Sequence, residues 1–392
     1  MAQGTFYKTF GSSDKTTTRT LLHESIPITG TLVSGTYSIA STGREDNVKS
    51  FSHGMFQSVY DYPFLSSSAN HLFDITVGVN SGSGNYESIT SQKEKKGNIY
   101  SQMAQMLVGY DTGSNVRPLD RDGDLSEGKK NENTIFLNFS RLLVKDEIKK
   151  GSFSMRFGIN RAFSKTGVYD DYVTISDLSG SNGYKVNSPA GEYGILSAYS
   201  ATTSGSGTGT NWSLGKGNPE KMVGLIFYQA GVIALSSSLV YSNTSSVGHG
   251  ADPAKTSEYD LNLVTASLQY QGTTSDTTQI GAIMNTNTID VAADAIRNRI
   301  QNISFNNTTE LNSAIYFCRA NHNEFNYSSN PTYLTGSKIR VKNNDIMVPP
   351  KSYATTVGLY SADNELLAVA KLSEPLKKDP SNELTLRVRL DY

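Results

Sequence analysis

The residues predict a mainly β protein, an antiparallel β-sandwich or sheets with long loops and a few short helices, and three observations carry that reading. The composition leans to strand and turn: 34 Gly, 22 Tyr and 15 Phe among 392 residues, with only 18% charged, below the usual quarter of a globular chain. Near the C-terminus, Leu384, Leu386, Val388 and Leu390 alternate with Thr385, Arg387, Arg389 and Asp391, the two-residue period of a strand with one face in a core. Just before it, two strand-like runs over 353–360 and 365–371 flank the polar turn Ser361-Ala-Asp-Asn364, the pattern of a hairpin.

From the start, residues 1–25 mix Gly, Ser, Lys and the run Thr16-Thr-Thr18. They hold too few apolar residues for a core face, so an extended N-terminal arm is expected, disordered alone or ordered by lying along a neighbour. A β-rich core domain is assigned to 26–240, with strands at 26–33, 72–79, 135–144, 152–158, 222–228 and 232–235. The last two are nearly all apolar and belong in the middle of a sheet. Residues 80–98, polar and Gly/Ser/Lys-rich, read as a loop before a short amphipathic helix at 100–107. Lys145 to Lys150 read as one helical turn stopped by a left-handed Gly151. A loop insertion is expected over about 160–218, where 200–210 is low-complexity Ser/Gly/Thr and cannot pack.

A β-rich C-terminal domain is assigned to 241–392. It opens on a polar stretch, continues with a strand at 259–270 and contains a helix at 289–303, expected to be the longest of the chain. There Ile289, Ala292, Ala293, Ile296, Ile300 and Ile303 share one helical face. A strand at 315–319, a polar and aromatic loop at 320–331 and a terminal β-meander at 352–392 complete it.

Asp120, Asp122 and Asp124 stand at the one, three and five positions of a calcium loop, but the sixth position is Leu125 and the twelfth Asn131. A solvated acidic turn is expected, a bound cation being the alternative. His53 and His71 read as hydrogen-bonded structural histidines, and Cys318 as a small buried hydrophobe on a strand. His322 and Glu324 are two apart without a nucleophile or oxyanion donor beside them. Asp170 and Asp171 are adjacent and point apart on a strand, unlike a glycosidase carboxylate pair. Trp212, the only Trp, and the tyrosines from Tyr184 to Tyr199 are candidates for a receptor or glycan contact. No catalytic, cofactor-binding or metal-ligating set is assigned, so the chain is read as no enzyme and as needing no cofactor.

With 35 basic against 36 acidic residues, the net charge of −1 provides no global attraction to nucleic acid or to an anionic membrane. The N-terminus lacks an apolar signal segment, and no apolar run is long enough for a bilayer. Synthesis in the cytoplasm without export is therefore expected.

Three stretches, 51–63 (Phe51-Ser-His-Gly-Met-Phe-Gln-Ser-Val-Tyr-Asp-Tyr-Pro63), 136–150 and 356–375, resemble structural proteins of tailed bacteriophage particles, particularly contractile-tailed phages of marine bacteria and cyanobacteria. The resemblance is spread over most of the chain and brings no catalytic motif. It implies a virion component in the tail or baseplate, contacting copies of itself and other virion structural proteins. The alternatives are a neck or head-associated protein (capsid vertex or decoration) and a receptor- or glycan-binding β protein.

Overall fold

A computed structural model describes residues 7–33, 45–82, 91–123, 130–159, 171–177, 180–200, 222–236, 288–327, 334–335, 338–339, 347 and 350–392. Strands make up 52% of what is described and helix 16%, so the protein is mainly β, built on a large antiparallel sheet. In chain order the elements are β1 (Lys15–Thr29), α1 (Gly30–Val33), β2 (Val48–Ser50), β3 (Gln57–Tyr60), β4 (His71–Val79), α2 (Ser91–Val108) and β5 (Asn133–Phe139). Then come α3 (Arg141–Val144), β6 (Glu147–Ile148), β7 (Ser154–Ile159), β8 (Asp171–Ser176), α4 (Gly180–Gly183), β9 (Lys185–Ser188), β10 (Gly191–Ser200), β11 (Met222–Phe227) and β12 (Val232–Ser236). The last are α5 (Ile289–Arg297), β13 (Ile300–Ala320), β14 (Leu334–Thr335), β15 (Lys338–Ile339), β16 (Ser352–Tyr360), β17 (Leu366–Lys378) and β18 (Leu384–Asp391).

The chain divides into two compact units, 23–309 and 1–22 with 310–392, where composition placed a boundary near 240. Strand β13 contributes 300–309 to the larger unit and 310–320 to the smaller. The larger unit is one long sheet in the order β13-β7-β8-β10-β11-β12-β5-β4-β3-β2, with β6 beside β13 and β9 beside β10. The apolar hairpin β11–β12 lies in its middle, as expected, and Val223, Leu225, Ile226, Ile233 and Ala234 are fully buried. Helices α2 and α5 pack on β4. They add Tyr100, Ala104, Leu107, Ile289, Ala292 and Ala293 to a core that includes Phe73, Ile75, Leu137 and Phe153.

Several expectations are corrected here. Among the described residues the longest helix is α2, 18 residues, which begins inside the stretch read as a loop: its polar first turns hold Lys96, a side chain buried at 0% exposure, so tertiary packing recruits residues whose composition argues for solvent. Helix α5 is shorter than expected. Thr288 caps its N-terminus and the helix ends at Asn298, while Ile300 and Ile303, in phase with the apolar stripe, start β13 instead. These two are β-branched and pair with Phe157 and Met155 of β7, a context that favours strand.

The helical turn expected at 145–150 falls earlier, at α3, and shortens the strand read over 135–144 to β5. The strand read over 26–33 likewise ends at Thr29, where α1 turns away. Gly151 does take the left-handed backbone, with φ +77°. Within the insertion assigned to 160–218, β8, β9 and β10 are strands of the sheet and α4 precedes β9. The strand expected at 259–270, the low-complexity run at 200–210 apart from Ser200, and Trp212 lie outside the described residues.

In the smaller unit, β18 pairs with the C-terminal part of β13 from Ser313↔Asp391 to Ala320↔Leu384. Along β18 the apolar positions are buried or half-buried and Thr385, Arg387, Arg389 and Asp391 are exposed, as the alternation requires. From Lys15 the N-terminal arm is a strand, β1, and its described residues make contacts within their own chain. Strand β1 neighbours β13, Phe10 packs on Tyr316 with ring centroids 5.2 Å apart, and Lys8 and Asp14 pair with Glu324 (2.7 Å) and Arg319 (3.1 Å).

Candidate assembly surface

Strands β16 and β17 form the expected hairpin, turned by Ser361 to Asn364, with Asn364 at φ +63°. The pair is a separate two-stranded sheet, an arrangement marginal in water unless something covers it. Its pairing runs Val357↔Ala370, Gly358↔Val369, Leu359↔Ala368 and then shifts to Tyr360↔Leu366. One face is half-covered: Val357, Ala368, Ala370 and Leu372 are half-buried and Leu359 is buried. The opposite face is open. Tyr360, Leu366, Leu367 and Val369 are each more than half exposed, Leu367 at 66%. Gly358 lets two of them meet, since a Cβ there would lie 3.0 Å from the Tyr360 ring and 3.5 Å from the Leu366 methyl. Burying Leu367 and Val369 would contribute about 1.5–3 kcal/mol each, a gain this chain leaves untaken among its described residues.

The ribbon's base is fixed while its tip is open. The Lys378 side chain is 1% exposed and its ammonium donates to Asn326 Oδ1 (2.7 Å), the Asp379 carbonyl (2.9 Å) and the His322 carbonyl (3.2 Å). Asn326 Nδ2 donates to the same His322 carbonyl at 2.7 Å. A buried cation is tolerated only with such a set of acceptors. On the other strand the Ser352 hydroxyl donates to the Phe325 carbonyl. Beyond β17, Asp379 accepts from Lys377 (2.7 Å) and from the backbone N–H and hydroxyl of Ser381. These contacts, the lysine first, hold its carboxyl well below the usual range.

The residues singled out for chemistry are scattered. Asp120 is fully buried rather than solvated and pairs with Lys130 at 3.0 Å. Burial, then a hydrogen bond with Asp122, pushes its pKa up to about 6 against the pull of Lys130. Asp124 lies outside the described residues, and among those described no group of three or more His, Cys, Asp or Glu is placed to hold a metal. His71 bonds Asp74 at 2.8 Å, and His53 Nδ1 accepts from the Met55 N–H and stacks on Phe51, both structural roles.

His322 and Glu324 do not form a pair: His322 lies 3.2 Å from Glu383 and Glu324 bonds Lys8. Asp171 lies in β8, and Asp170 is outside the described residues. Cys318 is half-buried on β13, its thiol pKa raised by burial and then by Asp14. Of the tyrosines from 184 to 199, Tyr184 and Tyr193 do not share a groove, and the side chain of Tyr199 lies outside the described ones. Tyr193 is fully buried, bonding the Gly123 carbonyl and Asn187, whereas Tyr184 is 39% exposed and carries the Lys150 ammonium 4.9 Å from its ring centre.

One further buried site centres on Asp177. The Asp177 carboxylate, fully buried, accepts from the Gly151 N–H (2.7 Å), the Phe153 N–H (2.9 Å) and the Tyr228 hydroxyl (3.1 Å). Burial pushes its pKa up to about 6 against these three bonds. Its partners lie 24 to 51 residues away, so no local motif marks it. It ties the loop before β7 to the end of β8 and to Tyr228, and its four groups satisfy one another, which is a structural node. Comparison with protein-family models, curated proteins and solved structures finds no match to this chain.

Proposed function

We propose that this chain is a non-enzymatic structural subunit of a contractile-tailed phage particle, in its tail or baseplate, making fixed contacts with copies of itself and with neighbouring virion proteins. The observation that carries the reading is the β16–β17 ribbon, clamped at its base by Lys378 and Ser352 and presenting an open apolar face at its tip. A fixed base matters because a docking element that is already ordered loses less conformational entropy when a partner covers it. The stretch 356–375, one of the three that resemble tailed-phage structural proteins, falls on this ribbon. The protein would be made in the host cytoplasm and end in the virion.

Immunogold labelling of purified contractile-tailed virions with antibody raised against the chain tests the reading. Label on the tail or baseplate is expected. Label confined to the neck or capsid vertices would favour the head-associated alternative, and particles without the chain would overturn the proposal.

A further inference from the structure

We propose that Lys378 and Asn326 become joined by an isopeptide bond, Lys378 Nζ to Asn326 Cγ with loss of ammonia, which staples the base of the β16–β17 ribbon covalently to the loop at 321–327. The two side chains already meet beneath the surface of the smaller unit. Lys378 is 1% and Asn326 9% exposed, and Nζ lies 2.7 Å from Oδ1. A carbonyl bond is about 1.2 Å long, so Nζ stands within about 4 Å of Cγ, and a shift of under about 1 Å brings it to the near-attack separation of about 3–3.5 Å. Nζ and Nδ2 also donate to one oxygen, the His322 carbonyl, at 3.2 and 2.7 Å. The attacking and the departing nitrogen therefore converge before any bond forms. Local backbone sets up the contact: Phe325, directly before Asn326, has φ +55°, a left-handed conformation uncommon for a residue of its size, and its own side chain is exposed while that of Asn326 is buried.

The reaction balances without a further reagent. The ammonium gives up a proton, the freed electron pair of Nζ forms the bond to Cγ, and the Cγ–Nδ2 bond breaks as protons pass from Nζ to Nδ2. Summed, an alkylammonium and a carboxamide become a secondary amide and an ammonium ion. The three acceptors around Nζ are all neutral, and Lys8 pairs at 2.7 Å with Glu324, a carboxylate near enough to interact with the charge of Lys378. Among the described residues no counter-ion thus holds the proton that has to leave. Burial also keeps out the water that would otherwise hydrolyse the amide. A covalent staple has a use here, because a separate two-stranded ribbon is marginal in water and Cys318, the only cysteine, leaves no disulfide within the chain to brace it. The bond forms whether or not the chain enters a virion, since every participant lies within it.

Mass spectrometry of the full chain, folded and incubated at neutral pH, tests it. The intact mass should fall short of that of the sequence by one ammonia, and a tryptic digest should contain one branched peptide joining the Asn326 segment to the Lys378 segment, uncut after Lys378. Asn326 and Lys378 are 52 residues apart, so the bond closes a large loop, and the wild-type chain boiled in detergent should run ahead of an unbridged one. Lys378→Arg and Asn326→Ala, with folding checked by circular dichroism, should each show the full mass, no branched peptide and the slower band. A wild-type mass equal to that of the sequence after prolonged incubation overturns the proposal, whether or not the variants fold. So does a missing ammonia traced to a succinimide, as at Asn182 before Gly183, or a branched peptide that persists in Asn326→Ala.

Discussion

The Lys378 ammonium sits 2.7 Å from Asn326 Oδ1, beneath the surface at the end of β17. This contact joins the ribbon to the loop at 321–327. Two further carbonyls share the ammonium; its removal strands Asn326 Oδ1, while the His322 carbonyl keeps its bond from Asn326 Nδ2. Lys378→Met keeps most of the stem but no donor, and should cost the smaller unit about 1–3 kcal/mol, the usual penalty for buried groups left unsatisfied. Urea unfolding read by a probe on β18 checks the stability. Hydrogen exchange should show faster exchange over 352–378 with the larger unit unchanged; unaltered protection there would mean the ribbon's base is held by something else.

The Asp177 node makes a prediction about pH. Its folded pKa of about 6 stands above the ordinary Asp value, so the folded state binds its proton more tightly than the unfolded chain. Its contribution is therefore complete below about pH 4 and is lost as the pH rises to about 6. Asp177→Asn abolishes this titration while leaving one carbonyl oxygen to accept from Phe153. Between pH 4 and pH 7 the variant-minus-wild-type stability should shift in the variant's favour by about 2 kcal/mol, although the variant starts lower because an amide N–H replaces an acceptor facing Gly151. Denaturation midpoints at several pH values measure this, and a difference that stays flat with pH would show that Asp177 does not titrate in that range.

The middle of the long sheet should respond to truncation as a close-packed core does. Ile226 is fully buried and paired between Gly194 of β10 and Ile233 of β12. Ile226→Ala should cost about 2–5 kcal/mol, read as a lowered urea midpoint of the larger unit. A cost under 1 kcal/mol would show that β11 is not central.

What the residues revealed alone follows a physical division. Runs whose partners are close in sequence, β11–β12 and β16–β17, were legible because alternation, apolarity and turn chemistry all agree locally. Ile300 and Ile303 misled because an apolar residue at helical spacing is also acceptable at the start of a strand, and pairing with β7, some 140 residues earlier, decides between them. Lys96 and Asp120 carry charges that argue for solvent, yet both are buried. Burial lowers the Lys96 pKa to about 8, with Lys93 adding to the effect. The ribbon was visible as a hairpin, but its open apolar face was not: Tyr360, Leu366, Leu367 and Val369 read as ordinary core-forming residues until their exposure is seen.

The arm supplies the last prediction. Deleting residues 2–20 removes Lys8, Asp14 and Arg19, the partners of Glu324, Arg319 and Glu310. It also removes Phe10 from the Tyr316 ring and the first part of β1 from beside β13. The ion pairs are at the surface and contribute little, whereas the ring contact is worth about 0.5–1.5 kcal/mol and the lost strand turns β13 into an edge. Among the described residues the first buried apolar side chain is Ile28, which the deletion spares. The truncated protein should therefore fold, keep full exchange protection in β4, β5, β11 and β12, and lose protection over 313–320 and 384–391. Unchanged protection in β13 would show that the arm is only loosely held, and lost protection in β11–β12 would show that the larger core depends on it.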